Sequence, residues 1–451
     1  MRRLLLVGVL AGLVWAATAW FQQGYAGEPA SEQVREVAKQ QDEAGAKKRY
    51  EAKLEELHKQ GEALTLVELA GAEIPKEENG AELYEDAIKD IRKDAAMRET
   101  HDKLLGYLKG DPGPEELKEA RALLDKIEPM LKELREAGKR KSCKFQVRNG
   151  YGEWSEGWEA TYKLLSGMQA GARMLRVSSR VNLLEGKTGA ALADYGSMAS
   201  MGQAWDRDPR MISMLVGISL RGMAFRELGE VLEKSEPSSG DLQKALEVLG
   251  PEDDRSRLVL AMRGDRCRRI EVMKHLVEHP EEVTAAMEKM GKPNATITRT
   301  VLYEEGLRNL ELMDRCVPLS LKPWCETKAE WEKLEKEEAQ AEDHLFGGHT
   351  VPGLCKAIVS YDRGLAGDDL SRLAIGLRLY RMKHGEYPEE LSALVPEVIK
   401  KLPTDPLSGE DYGYRREGKG FVVWSVGEDG LDNNGEETRP GTPDIAFKCS
   451  R

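Results

Sequence analysis

Apolar residues recur at three- and four-residue steps over most of this chain, the spacing that lines them up on one face of an α-helix. Residues 79–108 show it through Leu83, Ala87, Ile91 and Ala95. After the break at Gly110-Asp-Pro-Gly-Pro the pattern restarts through Leu117, Ala120, Leu124 and Ile127, and Pro129 is expected to end or kink that helix. Trp154 and Trp158 open a further helix at i, i+4. The texture then changes to small residues: Ala170, Gly171 and Ala172 precede Leu183-Leu-Glu-Gly-Lys-Thr-Gly, and Ala190, Ala191 and Ala193 follow it. Two helices joined by a short glycine turn, with small residues where their backbones meet, predict an αα-hairpin. The texture is that of tetratricopeptide repeats without a clean 34-residue period.

Further helices are predicted after Asp208-Pro209, over 241–249, 251–279 and 296–316, and over 327–345, whose run KAEWEKLEKEEAQAED reads as solvent-facing. A loop at Phe346-Gly-Gly-His-Thr-Val-Pro-Gly marks the main domain boundary, and a long helix is expected over 352–384. His384 and Gly385 supply its cationic last turn and C-terminal glycine, and Pro388 cannot continue it. Leu391, Leu394, Val395 and Val398 give a short amphipathic helix. The pattern then turns to β: 412–415 and 421–425 flank Glu417-Gly-Lys-Gly as a hairpin does. The fold class is therefore mainly α: a helical-hairpin domain over 27–345, and a small α+β module over 346–451 with one long helix and a short antiparallel hairpin.

Composition narrows the function classes. Of 451 residues, 40% are hydrophobic and 32% charged, which suits a folded, well-solvated protein. The net charge of −12 argues against general nucleic-acid binding, which needs clustered Lys and Arg. Residues 1–26 read as an export signal, with Arg2 and Arg3 before an apolar run from Leu4 to Phe21 and a small-x-Ala site at Gly24-Tyr25-Ala26. The run is long enough for a retained membrane anchor, which stays open as the alternative. Either way the bulk of the chain is expected outside the cytoplasm, in the periplasm or anchored at the inner membrane. The cysteines Cys143, Cys267, Cys316, Cys325, Cys355 and Cys449 suit an oxidising compartment without proving disulfides, and no CxxC occurs. Asn294-Ala-Thr is formally a glycosylation sequon.

Few residues point to chemistry. His275-Leu-Val-Glu278-His279 has the H-x-x-E-H spacing of a zinc hydrolase, but a polar helix end before Pro280 explains it as well. Gly186-Lys187-Thr188 resembles the end of a phosphate-binding loop, yet Val181 stands where the first glycine is needed, so a helix-joining turn is expected. Met198, Met201, Met211 and Met214 read as core packing. The stretch from Glu428 to Asp444 gathers Glu428, Asp429, Asp432, Glu436, Glu437 and Asp444 with Asn433 and Asn434, among the freely turning Gly427, Gly430 and Gly435. Carboxylates, Asn and backbone carbonyls are what a Ca²⁺ ion asks for, although the spacing is not that of an EF-hand.

The series LRLYRMKHGEYP, LPTDPLSGEDYGY, FVVWSVGEDG and a closing Asp444-Ile445 resembles the globular part of the major pseudopilin of type II secretion systems. The resemblance covers about the last hundred residues. It implies a helix, a turn, a hairpin and a calcium-binding loop, with Asp429, Asp432 and Asp444 as ligands and Asn434 or Glu436 as weaker ones. The chain opens on MRRLLLVGVLAGLVW and lacks the GF-T-L-x-E-like start of the helix through which that family polymerises. The overall layout resembles large envelope proteins of planctomycete-type bacteria. The expectation is a non-enzymatic cell-envelope protein: a helical interaction scaffold with a protein partner, no nucleic acid, membrane contact through an uncleaved N-terminus, and a module that Ca²⁺ could stabilise. A secretion-system-associated subunit and a zinc hydrolase using His275, Glu278 and His279 are the alternatives.

Overall fold

The computed structural model describes residues 43–89, 95–107, 110, 112–140, 142–146, 152–205, 207–250, 254–289, 297–340, 350–436 and 444–451. The export or anchor segment, the sequon at Asn294, the 346–349 part of the boundary loop and the Trp154 and Trp158 side chains fall outside the described features.

The helices in chain order are α1 (Glu43–Lys59), α2 (Leu66–Ala70), α3 (Ala81–Lys89), α4 (Ala95–Gly106), α5 (Pro114–Lys126), α6 (Glu128–Gly138), α7 (Gly152–Leu184), α8 (Thr188–Gln203), α9 (Met211–Lys234), α10 (Ser239–Glu247), α11 (Ser256–Glu278), α12 (Pro280–Lys289), α13 (Arg299–Leu319), α14 (Trp324–Gln340) and α15 (Thr350–His384). A 3₁₀ turn (Leu391–Leu394) and strands β1 (Gly413–Glu417), β2 (Gly420–Ser425) and β3 (Ile445–Cys449) complete it. The mainly helical class with a small C-terminal antiparallel sheet is thus what the periodicity predicts. The Pro129 break is real: α5 ends at Lys126, and Pro129 lies in the first turn of α6, where its missing N–H leaves no bond unmade.

The predicted αα-hairpin is α7–α8, turning at Gly186, and α9 folds back on both. The α8–α9 crossing is tight. A Cβ on Gly202 would lie 2.9 Å from the Gly217 carbonyl, and one on Gly217 would lie 2.7 Å from that of Gly202, so only glycine allows the two backbones this approach. Met198, Met201 and Met214 are buried there, as packing residues. On one side α3 and α6 cover α7; on the other, α15 lies along α9 and α14. A separate apolar cluster ties α1 to α11 and α13 through Tyr50, Leu57, Met273, Leu302 and Leu310.

One expectation fails. The charged run of 327–345 was expected to face solvent, whereas α14 buries Trp324, Thr327, Trp331, Leu334 and Glu338 at three- and four-residue steps. Lys and Glu dominate its composition, but only the facing stripe decides burial, and Trp331 is fully enclosed.

The sheet has the order β1-β2-β3, both pairs antiparallel, with Tyr414 opposite Val423 and Val423 opposite Phe447. The middle strand is buried throughout. Phe421 and Val423 join the main core, which runs without interruption from Ala81 to Cys449, across the domain boundary expected near 346–353. Val422 and Trp424 face the other way and are covered by the acidic loop.

Candidate functional site

The acidic loop is the region the sequence singles out. It leaves β2 at Val426 and returns to the sheet at Asp444. Gly435 packs flat on the outer face of the sheet at a φ of 73°, and a Cβ there would meet Val422 at 2.9 Å and Trp424 at 3.3 Å. Glycine is therefore required twice over, by conformation and by space.

Each predicted ligand has a defined place. Asp444 is buried: its Oδ2 accepts the backbone N–H of Asn433 at 3.0 Å and of Gly435 at 2.8 Å, and its Oδ1 accepts from Asn433 Nδ2 at 3.3 Å. The Oδ1 of Asp432 accepts from Trp424 Nε1 at 2.9 Å and from the Asn434 N–H at 2.7 Å. Asn434 takes the left-handed φ of 58° that Asn tolerates, and its carbonyl accepts from Arg415. Arg415 in turn stacks over the Trp424 ring at 5.2 Å. Among the described residues Asp429 accepts from the Leu431 N–H, at 3.0 Å, and together with Glu436 lies on the outer part of the loop.

This arrangement is a clasp of backbone N–H groups around carboxylates, with Asp444 at its centre. A Ca²⁺ ion takes about six to eight oxygens converging on one point. Among the described residues no three His, Cys, Asp or Glu side chains gather to hold a metal ion. The described carboxylates accept instead from the loop's own amides and from the Trp424 indole.

A second carboxylate, Asp405 in the Leu402-Pro-Thr-Asp-Pro turn, proves structurally central although nothing in its local pattern marks it out. It is buried, which pushes its carboxyl above the usual range. It accepts from the Leu407 N–H at 3.0 Å, from Ser408 Oγ at 3.3 Å and from the Val426 N–H at 3.3 Å, fastening the turn to the start of the acidic loop. Tyr412 donates to Asp369 on α15 at 3.0 Å, and Tyr414 to the Pro388 carbonyl at 2.7 Å. The two tyrosines of Tyr-Gly-Tyr thus bolt the hairpin to the helix and its stop.

The H-x-x-E-H string forms the end of α11. His275 Nε2 lies 3.1 Å from Glu282, His279 Nδ1 lies 3.4 Å from Glu281, and the two rings are 4.6 Å apart. Glu278 is exposed. Each histidine is paired with a carboxylate of α12 at the helix junction. None of the six cysteines, all of them among the described residues, forms a disulfide.

Comparisons of the chain with family models, with curated proteins and with solved structures find no match.

Proposed function

We propose that this chain is a non-enzymatic protein of the cell envelope, a helical scaffold that offers a surface to a protein partner and carries its C-terminal module as a fixed part. The observation that carries this reading is the course of α15. Its buried residues run from Val351 to Arg378; the earlier ones pack on α9 and α14, and the later ones seat the sheet. β3 completes the junction: Phe447 packs edge-on against Phe225 of α9 at 5.5 Å, and the Ser450 N–H donates to Glu233 at 2.7 Å. In the pseudopilin family a helix ahead of the globular part makes the polymer. Here the helix entering the module is enclosed by the chain's own elements, and a helix face already buried is not available to further copies.

Sedimentation velocity and negative-stain microscopy of the purified chain over a wide concentration range test this. Discrete species without filaments are expected. Filaments, or co-purification with secretion components, would return the function to a secretion-system subunit.

The acidic loop is where the resemblance places Ca²⁺, with Asp429, Asp432, Asn434 and Asp444 as its holders. We read the loop as self-clasped. Thermal melts decide: equal Tm with calcium and with chelator supports the clasp, and a calcium-dependent rise abolished by Asp429→Ala supports the metal. Among the described residues no helix is long and apolar enough to cross a membrane. Envelope attachment is assigned to residues 1–26 on their sequence, and N-terminal sequencing of the mature chain separates a cleaved signal from a retained anchor.

A further inference from the structure

Helix α1 lies against α11 and α13 in an apolar cluster of its own, separate from the core that runs from Ala81 to Cys449. Its hold is small for its length. Of its 17 residues Ala46, Tyr50 and Leu57 are buried, and Leu54 packs in part against the same cluster. An isolated helix of about that length is marginal in water, so these few contacts decide whether it stays.

The anchor is the Tyr50 ring. It sits in a notch at Gly306 of α13, where an added Cβ would lie 2.8 Å from the ring and 3.1 Å from Met273. Tyr303 lines the notch, its ring centroid 5.9 Å from that of Tyr50. The Tyr50 hydroxyl is buried and finds no hydrogen-bond partner among the described residues, a desolvation cost that a phenyl ring would not carry. The rim is charged. Arg49 pairs with Glu304, and Lys53 with Asp314 at 2.6 Å; Lys53 also meets Glu56 of its own helix, and Asp314 also faces Arg266 at 3.7 Å. Past α1 the chain is fastened to α11 separately: Glu62 pairs with Arg266 and Arg263, and the Ala63 carbonyl accepts from the Cys267 thiol at 3.3 Å. Gly61, at a φ of 79°, stands between the two attachments.

We propose that the groove between α11 and α13 is the surface that receives the protein partner, which inserts an amphipathic helix in place of α1. The inference rests on the scaffold reading and names its site. The partner's helix carries an aromatic ring for the notch at Gly306 and an apolar residue seven positions on, where Leu57 now lies. Basic residues beside the ring meet Glu304 and Asp314. The chain turns at Gly61 when α1 gives way, and the contacts of Glu62 and Ala63 stay in place.

Hydrogen–deuterium exchange and fluorescence anisotropy on the full chain test it. Amides of α1 should exchange faster than those of α8 and α9, and faster again as salt weakens the rim pairs. A labelled peptide of residues 43–60 should bind the Leu57→Ala chain about tenfold more tightly than the unaltered chain, since apparent affinity scales with the fraction of chains whose groove is open. A Tyr50→Phe version of the peptide should bind more tightly still. Adding Gly306→Leu to the Leu57→Ala chain fills the notch and should abolish peptide binding, with unchanged protection of α8 and α9 as the check on folding. Amides of α1 that exchange no faster than those of α9 overturn the proposal. So does a peptide that fails to bind a Leu57→Ala chain whose α1 exchanges freely, or one whose binding Gly306→Leu leaves unchanged. These failures leave the scaffold reading standing, whereas filaments would remove that reading and leave peptide binding in the groove intact.

Discussion

Individual buried carboxylates hold this protein together at its joints. Asp444 is the sharpest case, because its removal leaves the Asn433 and Gly435 N–H groups without their acceptor. Asp444→Ala is expected to destabilise the protein by about 2–3 kcal/mol, read by urea denaturation, and by the same amount with calcium or chelator present. Asp362 is wholly enclosed on α15, paired with Arg255 and accepting the Trp324 N–H at 2.7 Å. Breaking a buried pair leaves an uncompensated charge, so Asp362→Ala should cost about 3–5 kcal/mol in the same assay. Asp265 contributes to stability at acid pH. Burial alone would raise its carboxyl, but Arg269 and Arg268 override that and hold it well below the usual carboxylate range. A depressed pKa in the folded state adds stability above the unfolded value of about 4 that is lost as pH falls below it. Asp265→Asn should therefore flatten the dependence of Tm on pH below about 4.

At the scale of elements, helix packing separates glycines that are needed from those that are not. Gly202→Ala drives a methyl group into Arg221 and the Gly217 backbone and should cost about 2–3 kcal/mol. Gly229, also within a helix, has nothing within 4 Å of an added Cβ, so Gly229→Ala should stabilise by about 0.5–1 kcal/mol through helix propensity alone. Thermal melts of the two variants, side by side, check the contrast.

Much of this level was legible in the sequence. The turn at Gly186, the helix stop at Gly385 and the β1–β2 hairpin all carry their own local signals, glycine and proline at positions where backbone geometry demands them. The failures share one cause, that burial depends on partners distant in the chain. Trp331 sits in a run dominated by Lys and Glu, so its enclosure on α14 could not be read from neighbouring residues. β3 follows a loop and pairs with a strand more than twenty residues back, and the sequence showed only its opening Asp444-Ile445. Within the candidate site, the acidic residues were legible as a group, but not what they bond to. The indole of Trp424 and the backbone amides reach Asp432 and Asp444 only once the loop lies flat on the sheet. Asp405 stands in a recognisable turn, and only its burial and the bond it accepts from the Val426 N–H reveal what it fastens.

For the whole molecule, the continuous core from Ala81 to Cys449 makes the C-terminal module inseparable from the helices it rests on. The last residues strengthen that junction: Tyr387 donates to the Arg451 carbonyl at 2.7 Å, and Ser450 engages Glu233. Truncation after Lys448 should lower the Tm of the entire protein rather than release a separately melting module, and differential scanning calorimetry will show which.

The position of α15 also bears on how the protein comes to be made. The apolar faces of α9 that it and β3 cover belong to a helix completed far earlier in translation. On the order of 200 residues separate Lys234 from Cys449, roughly 10–40 s of synthesis at typical rates. Throughout that interval Leu220, Leu228, Val231 and Leu232, buried in the finished fold, lack their final cover, so α9 cannot reach its native packing until β3 has left the ribosome.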